Sequence, residues 1–467
     1  MSSERAEPEF SQDLIGKAIA DYRAGDEQAS FELVREDGHV RTVLISDLCE
    51  HQALAPIGRA ALNLCIGRVL DVGAGLGRYS RNLREIGLSV TPLDPSEECV
   101  DFLKEIGFDN AIHADLTAPS RERYDTILML GSNLGELGTI ERLGAFLASL
   151  EGRLTEGGVL ICDSTDIYRS ANPPSPEHRE RSRASGRPEG YLEYQVRVEG
   201  EVGPPSGRLH IAETDLGRLA NAMGLKFDVA FRDDQARYLA IISRGGDGQS
   251  SRMYDVVKRA GTDDLRIDRR MQGGSKTHAI AAKEMNSAAD YVVIRNLVSR
   301  DVAALIHRYA LLHLKAGGHF MLDGQSCCPS RYADGCGEAL LELLKPQFEE
   351  VIGETLEPSY SYLRFYTNGA VLERHIDRPA CEISATITIG YSAEQAWPIF
   401  IEVDGDPIGV DLEVGDALLY QGIQVPHWRQ AFGGQYWLQL FLHYVRSTGE
   451  HFRHAFDGRG SIGPWRG

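Results

Sequence analysis

Two sets of residues in this chain have types and spacings suited to chemistry. The first is Val69-Leu-Asp-Val-Gly-Ala-Gly-Leu-Gly77, in which Gly73, Gly75 and Gly77 follow an apolar run and precede a helix-like one. Glycine lets the backbone turn sharply and approach a ligand closely, and a loop of this form between strand and helix suits a nucleotide. Asp71 lies inside the strand, where dinucleotide binders usually have an apolar residue. Asp94 ends the second strand, placed to accept hydrogen bonds from a ribose diol, and Asp115 ends the third. Gly131, in Leu130-Gly-Ser-Asn133, lies at the carboxyl end of the fourth strand, over the crevice where such sheets hold ligands.

The second set is His375-Ile-Asp377 with His427, which lies in Val425-Pro-His-Trp-Arg429. Residues i and i+2 of a strand point the same way, so His375 and Asp377 can share one metal ion, with His427 arriving from a distant strand. Two histidines and one carboxylate, with open positions opposite, are the ligand pattern for iron(II) that activates oxygen. His443, in the last strand, is expected to pack beside this set rather than ligate.

The elements that must position these residues follow from periodicity. From Gly67 to Ser243 short apolar runs alternate with amphipathic stretches, as in βαβ units. Strands are expected at 68–72, 88–94, 111–114, 124–130 and 157–162, with Tyr191 to Val198 and Tyr238 to Ile242 as late strands. Gly245-Gly-Asp-Gly-Gln-Ser-Ser251 has linker composition. A second folded unit starts near Tyr291, with helices from Arg300 to Leu314 and from Gly337 to Leu344. From Ser359 onward nearly everything reads as short strands separated by glycine turns, as in a barrel or sandwich.

The bulk numbers set limits. A chain of 467 residues with 42% hydrophobic and 25% charged residues is an ordinary globular protein of two or three domains. A net charge of −19 repels a phosphate backbone, so nucleic acid is an unfavoured partner. The sequence contains no apolar run of about 18 residues, which predicts no membrane span, and the polar N-terminus has no secretory h-region. The eight cysteines form no even framework and read as reduced thiols of a cytoplasmic protein.

Gly67-Arg-Val-Leu-Asp-Val-Gly-Ala-Gly-Leu-Gly-Arg78 and Met129-Leu-Gly-Ser-Asn-Leu-Gly135 give the first half a resemblance to class I S-adenosylmethionine-dependent methyltransferases. The resemblance implies a Rossmann-like α/β domain over 1–245, with Asp71, Gly73, Gly75 and Gly77 holding the methionine part of S-adenosylmethionine and Gly131 also on that cofactor. It further implies Asp94 on the ribose and Asp115 near the adenine. No base for methyl transfer is identifiable; Asp163 and Tyr168 are candidates for substrate contact. The basic insert His178-Arg-Glu-Arg-Ser-Arg-Ala-Ser-Gly-Arg187 stands where such enzymes build substrate lids.

Tyr366-Thr-Asn-Gly-Ala-Val-Leu-Glu-Arg-His-Ile-Asp377, Gly415-Asp-Ala-Leu-Leu-Tyr420 and Pro426-His-Trp-Arg429 give the second half a resemblance to 2-oxoglutarate/Fe(II)-dependent oxygenases of the prolyl-hydroxylase type. That implies a double-stranded β-helix, or jelly-roll, domain with flanking helices over 287–467, joined by a linker at 246–286. It implies His375, Asp377 and His427 on iron(II). The family's cation about ten residues after the distal histidine is replaced here by Tyr436 and Trp437. Arg364, Tyr366 and Tyr391 are therefore expected on the 2-oxoglutarate carboxylates, while Arg378 and Arg429 are expected in ion pairs, for instance with Glu382. The combined expectation is a cytoplasmic bifunctional tailoring enzyme that methylates and hydroxylates a small molecule or peptide. Two alternatives are a methyltransferase with a non-catalytic oxygenase-like module and a tRNA-modifying enzyme.

Overall fold

The computed structural model describes residues 10–49, 54–118, 122–244 and 291–464. The chain divides into two compact units, Met1–Gln249 and Ser250–Gly467. The linker expected over 246–286 lies outside the described residues. No helix among the described residues is long and apolar enough to cross a membrane.

In the first unit the strands are β1 (Ser30–Arg35), β2 (Val40–Leu44), β3 (Arg68–Val72), β4 (Ser89–Asp94), β5 (Ile112–His113), β6 (Tyr124–Met129), β7 (Leu154–Thr165), β8 (Tyr191–Val198), β9 (Glu201–Val202), β10 (Ser206–Leu209), β11 (Leu225–Arg232) and β12 (Arg237–Arg244). The central sheet runs β11-β12-β7-β6-β3-β4-β5. Its β3, β4, β5, β6 and β7 are parallel, whereas β12 and β11 join antiparallel. Parallel strands covered on both faces read as continuous apolar runs; Val69, Leu70, Ile127, Leu128, Leu160 and Ile161 are all buried accordingly. The chain leaves β3 toward β4 and β5, then crosses back to place β6 on the other side of β3. Strand order therefore reverses between β3 and β6, where the crevice of an open α/β sheet forms.

One strand differs from expectation. Tyr191 to Val198 does not extend the central sheet; it is β8 of a separate antiparallel sheet ordered β10-β8-β1-β2, with β9 on β8. Buried and partly covered residues mix along β8, as in a strand covered on one face only. β12 carries five consecutive buried residues and belongs inside the stack.

In the second unit the strands are β13 (Tyr291–Ile294), β14 (Met321–Leu322), β15 (Pro329–Tyr332), β16 (Leu356–Thr367), β17 (Leu372–His375), β18 (Ile383–Ser392), β19 (Ile399–Val403), β20 (Asp406–Val410), β21 (Ala417–Tyr420), β22 (His427–Arg429) and β23 (Tyr436–Arg446). They form a larger antiparallel sheet, β13-β21-β18-β23-β16-β15-β14, and a smaller one, β17-β22-β19-β20. Helix Arg300–Ala316 is capped by Ser299 and packs on β18. Helix Gly335–Ile352 is capped by Asp334 and packs on β16 and β23.

The centre of the larger sheet is buried on both faces, and the two faces differ. Leu363, Phe365, Leu438, Leu440 and Ile387 form an apolar set. The alternate positions carry Arg364, Tyr366, Trp437, Gln439, His443, Ser384, Thr386 and Thr388, also buried. Register brings the second set together: Arg364 and Thr388 both oppose Gln439, Tyr366 opposes Trp437, and Ser384 opposes His443. Buried polar groups need partners, and from the smaller sheet Arg429 of β22 donates to Gln439.

Candidate functional site

In the first unit the predicted residues gather at the carboxyl ends of β3, β4 and β6. Gly73, Gly75 and Gly77 all have positive φ, at 73°, 54° and 78°, which side chains resist. A Cβ on Gly73 would stand 2.2 Å from Asn133 Nδ2, and that amide donates to the carbonyls of Gly73 and Val72 at 2.9 and 3.3 Å. Asn133 therefore clamps the loop against the segment that follows β6, a role the sequence reading left unassigned. Gly75 and Gly131 differ: a Cβ on either would meet nothing within 4 Å. Their open sides leave room for a ligand to lie against backbone.

Asp94 holds the loop from the β4 side, accepting from the Gly75 amide at 2.8 Å and the Ser96 amide at 2.9 Å. Burial raises its pKa. Asp71 is buried beneath the loop and accepts from Ser80 Oγ at 2.6 Å; burial pushes its carboxyl up to about 6. Asp163 accepts from the Ser132 amide at 2.8 Å, fixing a left-handed turn at Ser132. It therefore shapes the crevice wall, and its carboxyl is also pushed up to about 6 by burial. Asp115 stands two residues beyond β5 and is half exposed. It accepts from the Thr117 amide at 2.8 Å, as an Asx turn does, and lies 4.0 Å from Arg142. Tyr168 donates to the Glu189 carbonyl at 2.5 Å. In the basic insert, Arg179 and Arg183 share Glu189, and Arg187 pairs with Glu193, so three of its cations are engaged by two carboxylates.

In the second unit the three predicted ligands converge. His375 ends β17, Asp377 follows it, and His427 opens β22, directly across from His375 in the ladder. Asp377 Oδ1 lies 3.8 Å from His375 Nε2 and 3.7 Å from His427 Nε2. One donor atom from each residue lies within 4.8 Å of the others. Each imidazole is turned by its other nitrogen: His375 Nδ1 lies 2.7 Å from the Glu373 carbonyl and His427 Nδ1 lies 3.0 Å from the Val425 carbonyl. A carbonyl only accepts, so each Nδ1 carries the proton and each Nε2 is an acceptor; here Gln325 Nε2 lies 3.1 Å from that of His375 and Tyr420 Oη lies 3.3 Å from that of His427. This is how metal-binding histidines are oriented. Ser384 Oγ donates to Asp377 Oδ2 at 2.8 Å, leaving Oδ1 on the histidine side. His443 Nδ1 lies 2.9 Å from that same hydroxyl, so it acts through Ser384. Burial keeps both imidazoles neutral, His427 down to about 4 and His375 lowered by burial and by His427. The donor chemistry suits a divalent transition metal.

The three residues expected on the co-substrate diverge. Arg364 is buried, but its Nε lies 2.7 Å from Asp323 Oδ2, and it donates to Tyr366 Oη and Gln325 Oε1 at 2.9 and 3.0 Å. Its charge is already balanced. Tyr366 is fully buried beside it. A bulge between Thr388 and Gly390 shifts the register of β18 and sets Tyr391 opposite Trp437, on the face that carries Thr388 and Gln439. Its ring stacks flat on Trp437 at 4.2 Å, and its hydroxyl lies 3.3 Å from Glu413 Oε2.

The arginines expected in ion pairs also separate. Arg378 pairs with Asp457 at 2.7 Å, and Glu382 is taken by Arg446 at 2.7 Å. Arg429, only 1% exposed, has no carboxylate partner among the described residues. Its guanidinium donates to the Trp397 carbonyl at 2.5 Å and to Gln439 Oε1 at 3.5 Å, and lies over the rings of Trp397 and Trp437. Burial lowers its pKa to about 10. All eight cysteines are free thiols.

Residues 38–201 match the model of a family described as a methyltransferase domain. The first unit carries a methyltransferase domain. Similar solved structures include a SAM-dependent methyltransferase from Bacteroides fragilis in complex with S-adenosyl-L-homocysteine, at 24% identity over 50% of this chain and 96% of that one, TM-score 0.44. The CcbJ methyltransferase from Streptomyces caelestis is 16% identical over 42% and 98%, TM-score 0.34. A Pseudomonas putida prolyl-4-hydroxylase is 15% identical over 34% of this chain and 92% of that one, TM-score 0.29. No curated protein matches the chain.

Proposed function

We propose that this chain is a two-cofactor enzyme: its first unit transfers methyl groups from S-adenosylmethionine, and its second is an iron(II) oxygenase of jelly-roll type that uses 2-oxoglutarate. The substrate is a small molecule or a peptide. The observation that carries the second half is the fixed orientation of His375 and His427. One buried and one half-buried imidazole and one carboxylate oxygen are brought around a common space, with backbone carbonyls and a serine orienting them.

S-adenosylmethionine supplies a methyl group on a sulfonium, already electrophilic, so the protein's part is alignment. Gly75 and Gly131 offer bare backbone to the ligand, Asp94 has lone pairs left for a ribose diol, and Asn133 and Asp163 keep the two walls in register. In the second unit iron(II) with 2-oxoglutarate supplies an oxidant for C–H bonds. His375, Asp377 and His427 would hold the metal on one side, leaving positions open opposite. Ser384 and His443 hold the Asp377 carboxylate in place.

Calorimetric titration of the full chain tests the two halves separately. S-adenosylmethionine should bind wild type, and Asp94→Ala should weaken that binding without touching manganese(II) affinity. His375→Ala should abolish manganese(II) binding and leave S-adenosylmethionine binding intact. Failure of wild type to bind manganese(II) overturns the oxygenase half alone.

A further inference from the structure

We infer that Arg429 is the anchor for the far carboxylate of the 2-oxoglutarate co-substrate, taking over from the strand position that Trp437 fills. The inference rests on the oxygenase reading above and says which residue of this chain completes it.

Three observations converge on Arg429. The first is its isolation. A guanidinium buried to 1% exposure, with no carboxylate within ion-pair distance among the described residues and only the more distant Asp411 charge acting on it, is costly to keep charged and dry. Arg364, the other buried arginine of this face, has Asp323 to balance it. Arg429 has one backbone carbonyl and one amide oxygen, which satisfy hydrogen bonds without supplying negative charge. The second is its direction. Arg429 is two residues from His427 on β22, so the two side chains leave the strand on the same side. An ion held by His427 and a carboxylate held by Arg429 would thus lie along one face. The third is its surroundings. The guanidinium carbon lies 5.8 Å from the Trp437 ring centroid and 4.4 Å from that of Trp397, and Trp397 packs edge-on to Tyr366 at 4.9 Å. β23 of the larger sheet contributes a flat ring at Trp437, and β22 of the smaller sheet brings its cation over that ring.

The chemistry fits a carboxylate. A guanidinium fork takes two oxygens at once, and Gln439, held by Thr386 and Trp437, can let go of its 3.5 Å contact without losing its other partners. The probe class is a 2-oxo acid with a second carboxylate at the far end of a five-carbon chain.

The test uses the full chain loaded with manganese(II), which binds the same donors without turnover. Wild type should bind 2-oxoglutarate at least about 30-fold more tightly than 2-oxopentanoate, which has the same carbon chain but lacks the far carboxylate. In Arg429→Gln that preference should fall to near unity, with manganese(II) affinity within about threefold of wild type. Arg429→Lys keeps the cation but not the fork, and covers the case in which Arg429→Gln does not fold; it should lose about tenfold in 2-oxoglutarate affinity and retain some preference. Persistence of the full preference in Arg429→Gln, or unchanged 2-oxoglutarate affinity in Arg429→Lys, overturns the assignment while leaving the metal centre standing. The same holds if manganese-loaded wild type shows no preference. Absence of manganese(II) binding in wild type defeats the oxygenase reading itself, and the anchor with it.

Discussion

The carboxylates of this chain show how burial decides what a residue can do. An unfolded aspartate titrates near about 3.9, whereas Asp71 in the folded protein is pushed up to about 6 by burial. Between those values the native state holds the proton and the unfolded chain does not, so the Asp71 contribution to stability falls as pH rises from about 4 to about 6. Asp71→Asn keeps the acceptor for Ser80 and should remove this slope, on the order of 1–3 kcal/mol across the window. Urea unfolding at pH 4 to 7 checks it; an identical slope in both proteins contradicts a buried, dry carboxyl. Ser384 offers a second test. Removing its hydroxyl leaves Asp377 Oδ2 without its 2.8 Å donor, so Ser384→Ala should weaken manganese(II) binding by about 10–100-fold with the fold intact. Gly73 offers a third. Gly73→Ala combines a positive φ with a Cβ 2.2 Å from Asn133, which should cost about 1–3 kcal/mol in stability and loosen S-adenosylmethionine binding, both measurable by thermal unfolding with and without that ligand.

At the scale of elements, what could be read from the sequence was what depends on local pattern. The glycine loop between β3 and its helix, and the carboxyl-end positions of Asp94 and Gly131, follow from βαβ alternation; His375 and Asp377 were expected together from strand periodicity, although β17 ends at His375 and Asp377 lies just beyond it. What could not be read depends on pairing between distant segments. β8 joins β1 rather than the central sheet, because a half-covered strand and a fully covered one differ only in which face meets a partner. Asp115 lies beyond a two-residue strand, so its carboxylate turns back onto Thr117. Tyr391 faces Trp437 only because a bulge between Thr388 and Gly390 shifts the register of β18, and nothing local in the sequence marks that bulge. Arg429 was legible as a neighbour of His427, but its lack of a carboxylate at ion-pair distance emerges only when Arg446 is seen to hold Glu382 and Arg378 to hold Asp457. The signal available in sequence was the i and i+2 spacing of His427 and Arg429 on a single strand.

At the scale of the molecule, each unit has its own hydrophobic core and its own constellation of buried polar residues, so each ligand should leave a separate footprint. In hydrogen exchange, S-adenosylmethionine should slow amides in 68–77 and 131–133, whereas manganese(II) with 2-oxoglutarate should slow those in 372–377 and 427–429, because a ligand suppresses the local openings of the segment that holds it. Protection of one set by the other's ligand alone would contradict this assignment of ligands to units. The central claim is that one chain carries both a methyl-transfer crevice and an oxygen-activating metal centre, and the metal centre is the half that one measurement can decide. Anaerobic addition of iron(II) and 2-oxoglutarate to the full chain should produce a visible charge-transfer absorption band in wild type. That band should be missing in His375→Ala and Asp377→Ala, while both variants still bind S-adenosylmethionine. No band in wild type, or the same band in either variant, would contradict the claim.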